Sequence, residues 1–280
     1  MRIKAVLAAL VVLAARYPPP GADNRPVDPV RIADRVFYVG ASDIASYLIA
    51  TPAGHILIDA GYDETVPLIQ ASVATLGFKL TDVKYLLNTQ AHFDHAAGLA
   101  RMKRLTGAQL VVSAQDAPII EHGGRGDFHF GDTAEFPAAA VDRRIGNGDR
   151  VQLGDTTLTA YITPGHTKGC TTWTFDALDR GRTRKVVVVC GVTILDGTRV
   201  TNNAAYPEIA RDYARTFETL GALPCDIFLG AHPSYYNGKA KWDALGAHAD
   251  IENPFVDPEG YRAFVARAKQ RFEQQLAREK

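Results

Sequence analysis

The chain is short of several things, and each shortage excludes a class of protein. It has no surplus of charge: 31 Lys and Arg offset 31 Asp and Glu in 280 residues, with a pI near 7.1. Neither nucleic acid nor an anionic membrane surface is therefore expected as a partner. No Gly/Ser linker, charge block or short-period repeat interrupts residues 28–280, so nothing suggests a division of that span. No apolar run is long enough to cross a bilayer comfortably. The longest, Ala5 to Ala15 (AVLAALVVLAA), follows Arg2 and Lys4 and ends on small residues, the pattern of a cleaved export signal. Residues 1–20 are read as that signal, 21–29 as an extended Pro-rich lead-in, and 30–280 as a single domain.

Cysteine is scarce too. Cys170, Cys190 and Cys225 allow one disulfide with one thiol left over in an oxidising compartment. Cys170 and Cys190 lie in successive strand-like segments, CTTWTF and KVVVVC, so they are the favoured pair between neighbouring strands. Three buried free cysteines remain the alternative.

What is present is an ordinary globular composition, 46% apolar and 22% charged, arranged as alternating strands and helices. RVFYVGA, ASYLIAT and HILIDAG read as strands, and residues 63–77 as a helix with Val66, Ile69 and Val73 on one face. VKYLLN is a short buried strand. Ala96 to Leu105 carries Leu99, Met102 and Leu105 at helical spacing, and QLVVSA returns as a strand. TTLTAYIT, CTTWTF, RKVVVVCGV and DIFLGAHPS give a second set of strands, with helices over Tyr206–Leu220 and Tyr261–Glu279. This pattern fits an α/β layered architecture.

The histidines show the important regularity. His92 and His95 follow VKYLLN, His166 follows TTLTAYIT, and His232 follows DIFLG, each just past the end of an apolar strand. Sheets of this kind gather their ligand sites at that edge. His55, His122, His129 and His248 have no such placement. Asp94 stands between His92 and His95, and a turn this tight serves two metal ions better than one. The expected division gives His92 to one ion and Asp94 with His95 to the other, with His166 and His232 completing the shells.

The residues QAHFDH at 90–95, Asp59 after a strand, PGHT at 164–167 and AHP around His232 resemble the metallo-β-lactamase superfamily. Finer segments, LLNTQAHFDHAAGL, LVVSAQDA, FHFGD and TPGHTKGCTTW, resemble its subclass B3. Glutamine at position 90 is similar to the GOB-type enzymes within that subclass. The resemblance implies an αββα four-layer sandwich of two mixed sheets with outer helices. It implies a first zinc site of Gln90, His92 and His166 and a second of Asp94, His95 and His232, with Asp59 orienting the ligand loop. One or two Zn²⁺ per chain are expected, the first held weakly because an amide oxygen is a poorer ligand than imidazole. The implied activity is hydrolysis of penicillins, cephalosporins and carbapenems, with zinc-activated hydroxide as nucleophile and Asp94 orienting it. A monomer working in the periplasm, free of the membrane once the signal is removed, would confer antibiotic resistance.

One segment departs from the resemblance. Where many B3-like enzymes carry serines that contact the substrate carboxylate, Val192 and Ile194 stand here. Thr193 and Tyr235 are the remaining candidates for substrate contact. Thioesterases and lactonases of the superfamily carry a bridging Asp after the glycine of this strand. Here Gly191 is followed by Val192, and Asp196 comes four residues too late. A hydrolase of that kind is the main rival, and a zinc-binding protein without activity the remote one. The Gly-rich GGRGDF between His122 and His129 is expected to roof the pocket.

Overall fold

The computed structural model describes residues 17–247 and 252–280. Most of the export-signal reading, and His248, therefore lie outside the described residues. Tyr17 is the first described residue, and its ring stacks on Phe93 at 5.5 Å between centroids.

Two sheets stand back to back. The first runs β1 (Val30–Ala33), β2 (Val36–Tyr38), β3 (Tyr47–Thr51), β4 (Gly54–Ile58), β5 (Val83–Leu87), β6 (Gln109–Ser113) and β7 (Arg143–Ile145) in spatial as well as chain order. It is antiparallel from β1 to β4 and parallel from β4 to β7. The second has the order β12 (Ile227–Gly230), β11 (Arg182–Val189), β10 (Thr171–Asp179), β9 (Thr156–Ile162), β8 (Arg150–Leu153), with only the β11–β12 pair parallel.

Strand periodicity builds the layers. Alternate residues of a strand face opposite sides, so Tyr47, Ile49, Ile56 and Ile58 join Trp173, Phe175 and Val186 in the core between the sheets. Leu48, Leu57, Leu86 and Leu110 point the other way, onto α1 (Val66–Thr75), α3 (Leu99–Thr106) and α4 (Ala117–Glu121). On the far side, α5 (Ile209–Ala222) and α7 (Pro258–Glu279) cover the second sheet with Tyr213, Phe217 and Phe272. The four layers are helix, sheet, sheet, helix, as expected.

Pro258 opens α7 and the Asp257 carboxylate caps it by accepting from Gly260 N at 2.8 Å. The short α6 (Gly238–Ala247) follows the His232 loop.

Two details differ from the sequence reading. The helix expected from Ala96 starts earlier and is broken into α2 (Phe93–Ala96) and α3. The break falls at Gly98, where the chain presses so close to Ala60 that a Cβ would sit 2.4 Å from its carbonyl oxygen. Leu105, placed on the buried face by spacing, is 39% exposed because six residues carry it about a third of a turn away from Leu99 in the same helix. The strands β1, β7 and β8 were not expected; they are short, with no clean alternation to mark them.

Candidate metal centre

Loops at the strand ends of both sheets meet at one edge. β5 ends at Leu87, the chain turns through Asn88–His92, and α2 lifts Asp94 and His95 on a single helical turn. From the second sheet come the loop after β9 with His166 and the loop after β12 with His232.

The four imidazoles obey one rule. His166 Nδ1 lies 2.7 Å from the Thr193 carbonyl oxygen, and His232 Nδ1 lies 2.7 Å from that of Asp43. A carbonyl only accepts, so both Nδ1 atoms carry the proton and both Nε2 atoms are bare. His95 aims Nδ1 at the Asp59 carboxylate (3.3 Å), and His92 aims Nε2 at that of Asp127 (3.6 Å).

The inner nitrogens then meet in pairs: His92 Nδ1 with His166 Nε2, and His95 Nε2 with His232 Nε2, each at 3.2 Å. His166 and His232 bring the bare nitrogen of each pair, and a cation between the facing nitrogens would take both. Tetrahedral nitrogen ligands about 2.05 Å from zinc stand about 3.3 Å apart, so the spacing fits.

The Asp94 carboxylate is 3.2 Å from His95 Nε2 and 3.6 Å from His232 Nε2. The ligand atoms of Asp94, His95 and His232 all lie within 4.8 Å of one another. Gln90 is 1% exposed, and neither its amide nitrogen nor its oxygen has a partner. An amide buried without partners costs about 1–3 kcal/mol, and a cation on its oxygen would recover part of that. The donor types of both halves suit zinc, and in the second the three ligand atoms also lie close enough together for one ion. His92, His95 and His166 are buried, whereas the Asp94 and His232 side chains keep 20% and 21% of their surface open, so the centre is approached from their side.

Charge separates the two halves. Burial opposes ionisation of Asp94, but His95 and His232 beside it hold its carboxyl well below the usual range. Burial would lower His95, yet Asp94 and Asp59 outweigh it and raise the imidazole to about 10. His166 has no such support: burial, with the charge of His92 added, pushes it down to about 3. Burial and the neighbouring His95 also lower His232.

Three buried carboxylates hold the ligands in place. Asp59, at a left-handed φ of 59°, accepts from Thr89 N (2.7 Å), Thr89 Oγ1 (2.6 Å) and Asn88 Nδ2 (3.0 Å), which fixes the start of the ligand loop. Asp116, just before α4, was not singled out by its sequence. It ties the two ligand loops of the first half together: Ala91 N (3.0 Å), Thr167 Oγ1 (2.7 Å) and Gly169 N (2.7 Å) all donate to it. Gly169 admits this approach because it lacks a Cβ, which would lie 2.1 Å from Ser113 Oγ. Burial raises the Asp116 carboxyl to about 6 despite those three donors.

Asp127 belongs to the Gly-rich stretch, which does lie over the site. It accepts from His129 N and Phe130 N, both at 2.8 Å, and Phe130 meets the His92 ring edge-on at 5.1 Å. The motif QDA and the aspartate in GGRGDF were visible in the sequence, but nothing local marks a partner 25 or 53 residues away.

The other candidates are placed as follows. Thr193 supplies its carbonyl to His166 and its hydroxyl lies 3.3 Å from the same nitrogen. Tyr235 packs on His232 at 5.2 Å. Tyr236, beside it, is a core residue bonded to Tyr47 and makes no site wall. Cys170 and Cys190 form a disulfide between the start of β10 and the end of β11, leaving Cys225 free. Gly191, next to that bridge, faces His166 so closely that a Cβ would lie 2.2 Å from the ring.

Two mixed sheets between helices, with histidine and aspartate ligands converging from the strand ends of both, define a metal-dependent hydrolase. The chain belongs to the metallo-beta-lactamase superfamily, whose family model matches residues 39–232.

Solved structures of β-lactamases correspond to it over almost their whole length. Native FEZ-1 metallo-beta-lactamase from Legionella gormanii is 41% identical, with a TM-score of 0.89 over 94% of this chain and 99% of that one. The class B3 di-zinc enzyme LRA-12 from an Alaskan soil metagenome is 34% identical, TM-score 0.88, over 93% and 99%. GOB-18 from Elizabethkingia meningoseptica is 33% identical, TM-score 0.87, over 92% and 96%.

A hydroxyacylglutathione hydrolase from Bradyrhizobium sp. is 32% identical over 145 residues, 52% of this chain and 48% of its own length. The match thus spans about half of that curated relative. No helix among the described residues is long and apolar enough to cross a membrane.

Proposed function

We propose that this protein is a zinc-dependent β-lactamase of the B3 kind, exported to the periplasm, with GOB-like glutamine at its first ligand position. The observation that carries the reading is the pair of facing-nitrogen half-sites in a chain that matches a β-lactamase structure over 94% of its length. Gln90, His92 and His166 would hold one zinc ion, and Asp94, His95 and His232 the other. Zinc there supplies a water acidic enough to be a nucleophile at neutral pH and a Lewis acid for the lactam.

The chain's own residues do the rest. Asp94, held ionised, accepts a hydrogen bond from the attacking water and fixes its line to the carbonyl carbon. Water adds to that carbon, the C–N bond breaks as the nitrogen takes one of the water's protons, and a carboxylate and an amine result with the other proton released. Asp59 and Asp127 keep the imidazoles turned with their bare nitrogens inward. Gln90 weakens the first half, so the second carries most of the reaction. The Cys170–Cys190 disulfide accords with an oxidising compartment.

Thioester hydrolysis is the second reading, supported by the hydroxyacylglutathione hydrolase relatives. Against it, Val192 fills the position where a bridging aspartate is expected, and its side chain is buried. The test presents the mature, zinc-loaded protein with a penicillin, a carbapenem, a lactone and a glutathione thioester, with and without chelator. Chelator-sensitive turnover of the β-lactams is expected. Turnover of the thioester alone, or turnover that chelator leaves intact, overturns the reading.

A further inference from the structure

The N-terminal lead-in does more than its sequence promises. Ala22–Asn24 form a single 3₁₀ turn in which no residue is buried. A segment that buries no side chain gains little from packing. Its polar groups nevertheless bond to two loops, and both loops serve the metal centre.

One loop joins β2 to β3. Ser42 N donates to the Arg25 carbonyl at 2.9 Å, and Asp43 N to that of Asp23 at 2.7 Å. Ser42 Oγ donates to the Ala22 carbonyl (2.8 Å) and accepts from Arg25 N (3.1 Å). The other loop follows Asp59. Thr65 Oγ1 donates to Asn24 Oδ1 at 2.6 Å, and the Tyr62 hydroxyl to Asp23 Oδ2 at 3.2 Å.

Each loop holds one imidazole of the second half. Asp43 gives its carbonyl to His232 Nδ1, and its carboxylate accepts from Ser234 N (2.7 Å) and Ser234 Oγ (3.0 Å). Residue 43 is thus gripped from both sides, by the lead-in at its N–H and by the ligand at its C=O. In the other loop Asp59 stands behind His95, and Ala60 N donates to the His95 carbonyl at 3.2 Å.

We infer that residues 22–25 are a brace that sets the spacing of His95 and His232, with Asn24 and Ser42 as positioning residues for the second half. A carbonyl orients an imidazole only as firmly as it is itself held, and loss of an outer partner costs roughly 10- to 100-fold in metal affinity. Asp116 clamps the loops of the first half, Ala91 to Thr167 and Gly169, and the brace is its counterpart in the second. The inference rests on the zinc assignment under the proposed function, not on the substrate.

The test reads metal and not turnover. In a His166→Ala background only the set Asp94, His95 and His232 is complete; in a His232→Ala background only Gln90, His92 and His166. Zinc is titrated into the metal-free form of each against a chromophoric chelator, with and without Asn24→Ala/Ser42→Ala. The double change should raise the zinc dissociation constant about tenfold in the first background and less than about twofold in the second. Asn24→Asp keeps the acceptor for Thr65 and should leave the affinity as it was.

A melting curve of the metal-free double variant checks the fold. If it has unfolded, Asn24→Ala alone is titrated, and the same contrast between backgrounds is expected. No weakening in the His166→Ala background, or equal weakening in both, overturns the inference. A His166→Ala protein that takes up no zinc overturns it together with the zinc assignment. Zinc binding that weakens as expected, in a protein that turns over no β-lactam, supports the brace and overturns the β-lactamase reading alone.

Discussion

The two halves of the metal centre are built alike and charged differently. Each sets two imidazole nitrogens 3.2 Å apart and turns the outer nitrogens toward oxygen. In the second half Asp94 adds a negative ligand, and the Asp59 carboxylate stands behind His95. In the first half the third candidate donor is the neutral Gln90 amide, whereas Asp127 stands behind His92 as Asp59 does behind His95, and His166 and His232 alike turn Nδ1 to a carbonyl. Geometry alone therefore does not make the halves equivalent. A dication taken from water must be repaid mainly by charge, and only the second candidate set includes an anionic donor, Asp94.

The comparison breaks most severely at Asp94. In Asp94→Asn the second half loses its only anionic ligand. Zinc retention there and kcat/KM for a carbapenem should fall by more than the roughly 10- to 100-fold that loss of an outer partner costs. Metal content after dialysis reads the first and steady-state kinetics the second; unchanged zinc content would sink the argument.

The reverse substitution sharpens it. Gln90→His should tighten the first half by roughly 10- to 100-fold, taking retained zinc from about one to about two per chain. Two tightly held ions in the unaltered protein would contradict the role given to Gln90.

The smallest effect concerns Asp116, which clamps the loops of the first half. Its carboxyl stands near 6 in the folded chain, against about 3.9 when unfolded. The folded protein binds this proton more tightly. The group's contribution is therefore present below about pH 4 and is lost as pH rises to about 6, some 3 kcal/mol in all. Urea unfolding of wild type and Asp116→Asn from pH 4 to 7 should show wild type losing about that much relative to the variant. A difference that stays flat across the range would exclude the assignment.

Much of this was legible in the chain. Period-two alternation in TTLTAYIT put Leu158, Ala160 and Ile162 inside, and all three are buried. A different rule, that such sheets gather ligands just past their strand ends, drew His92, His95, His166 and His232 to one edge. The carboxylates around them were not legible. Asp116 and Asp127 earn their roles by bonds across 25 to 53 residues and by a loop folding back over His92, which no local pattern encodes.

The sequence by itself determined the layers, the strand-end histidines and the substitution of glutamine at the head of the ligand loop. These follow from local stereochemistry and the identity of donor atoms. Only the tertiary structure decided which nitrogen of each imidazole faces inward and which half-site holds the charge. Both depend on burial and on partners that chain folding, not chain order, brings within 4 Å.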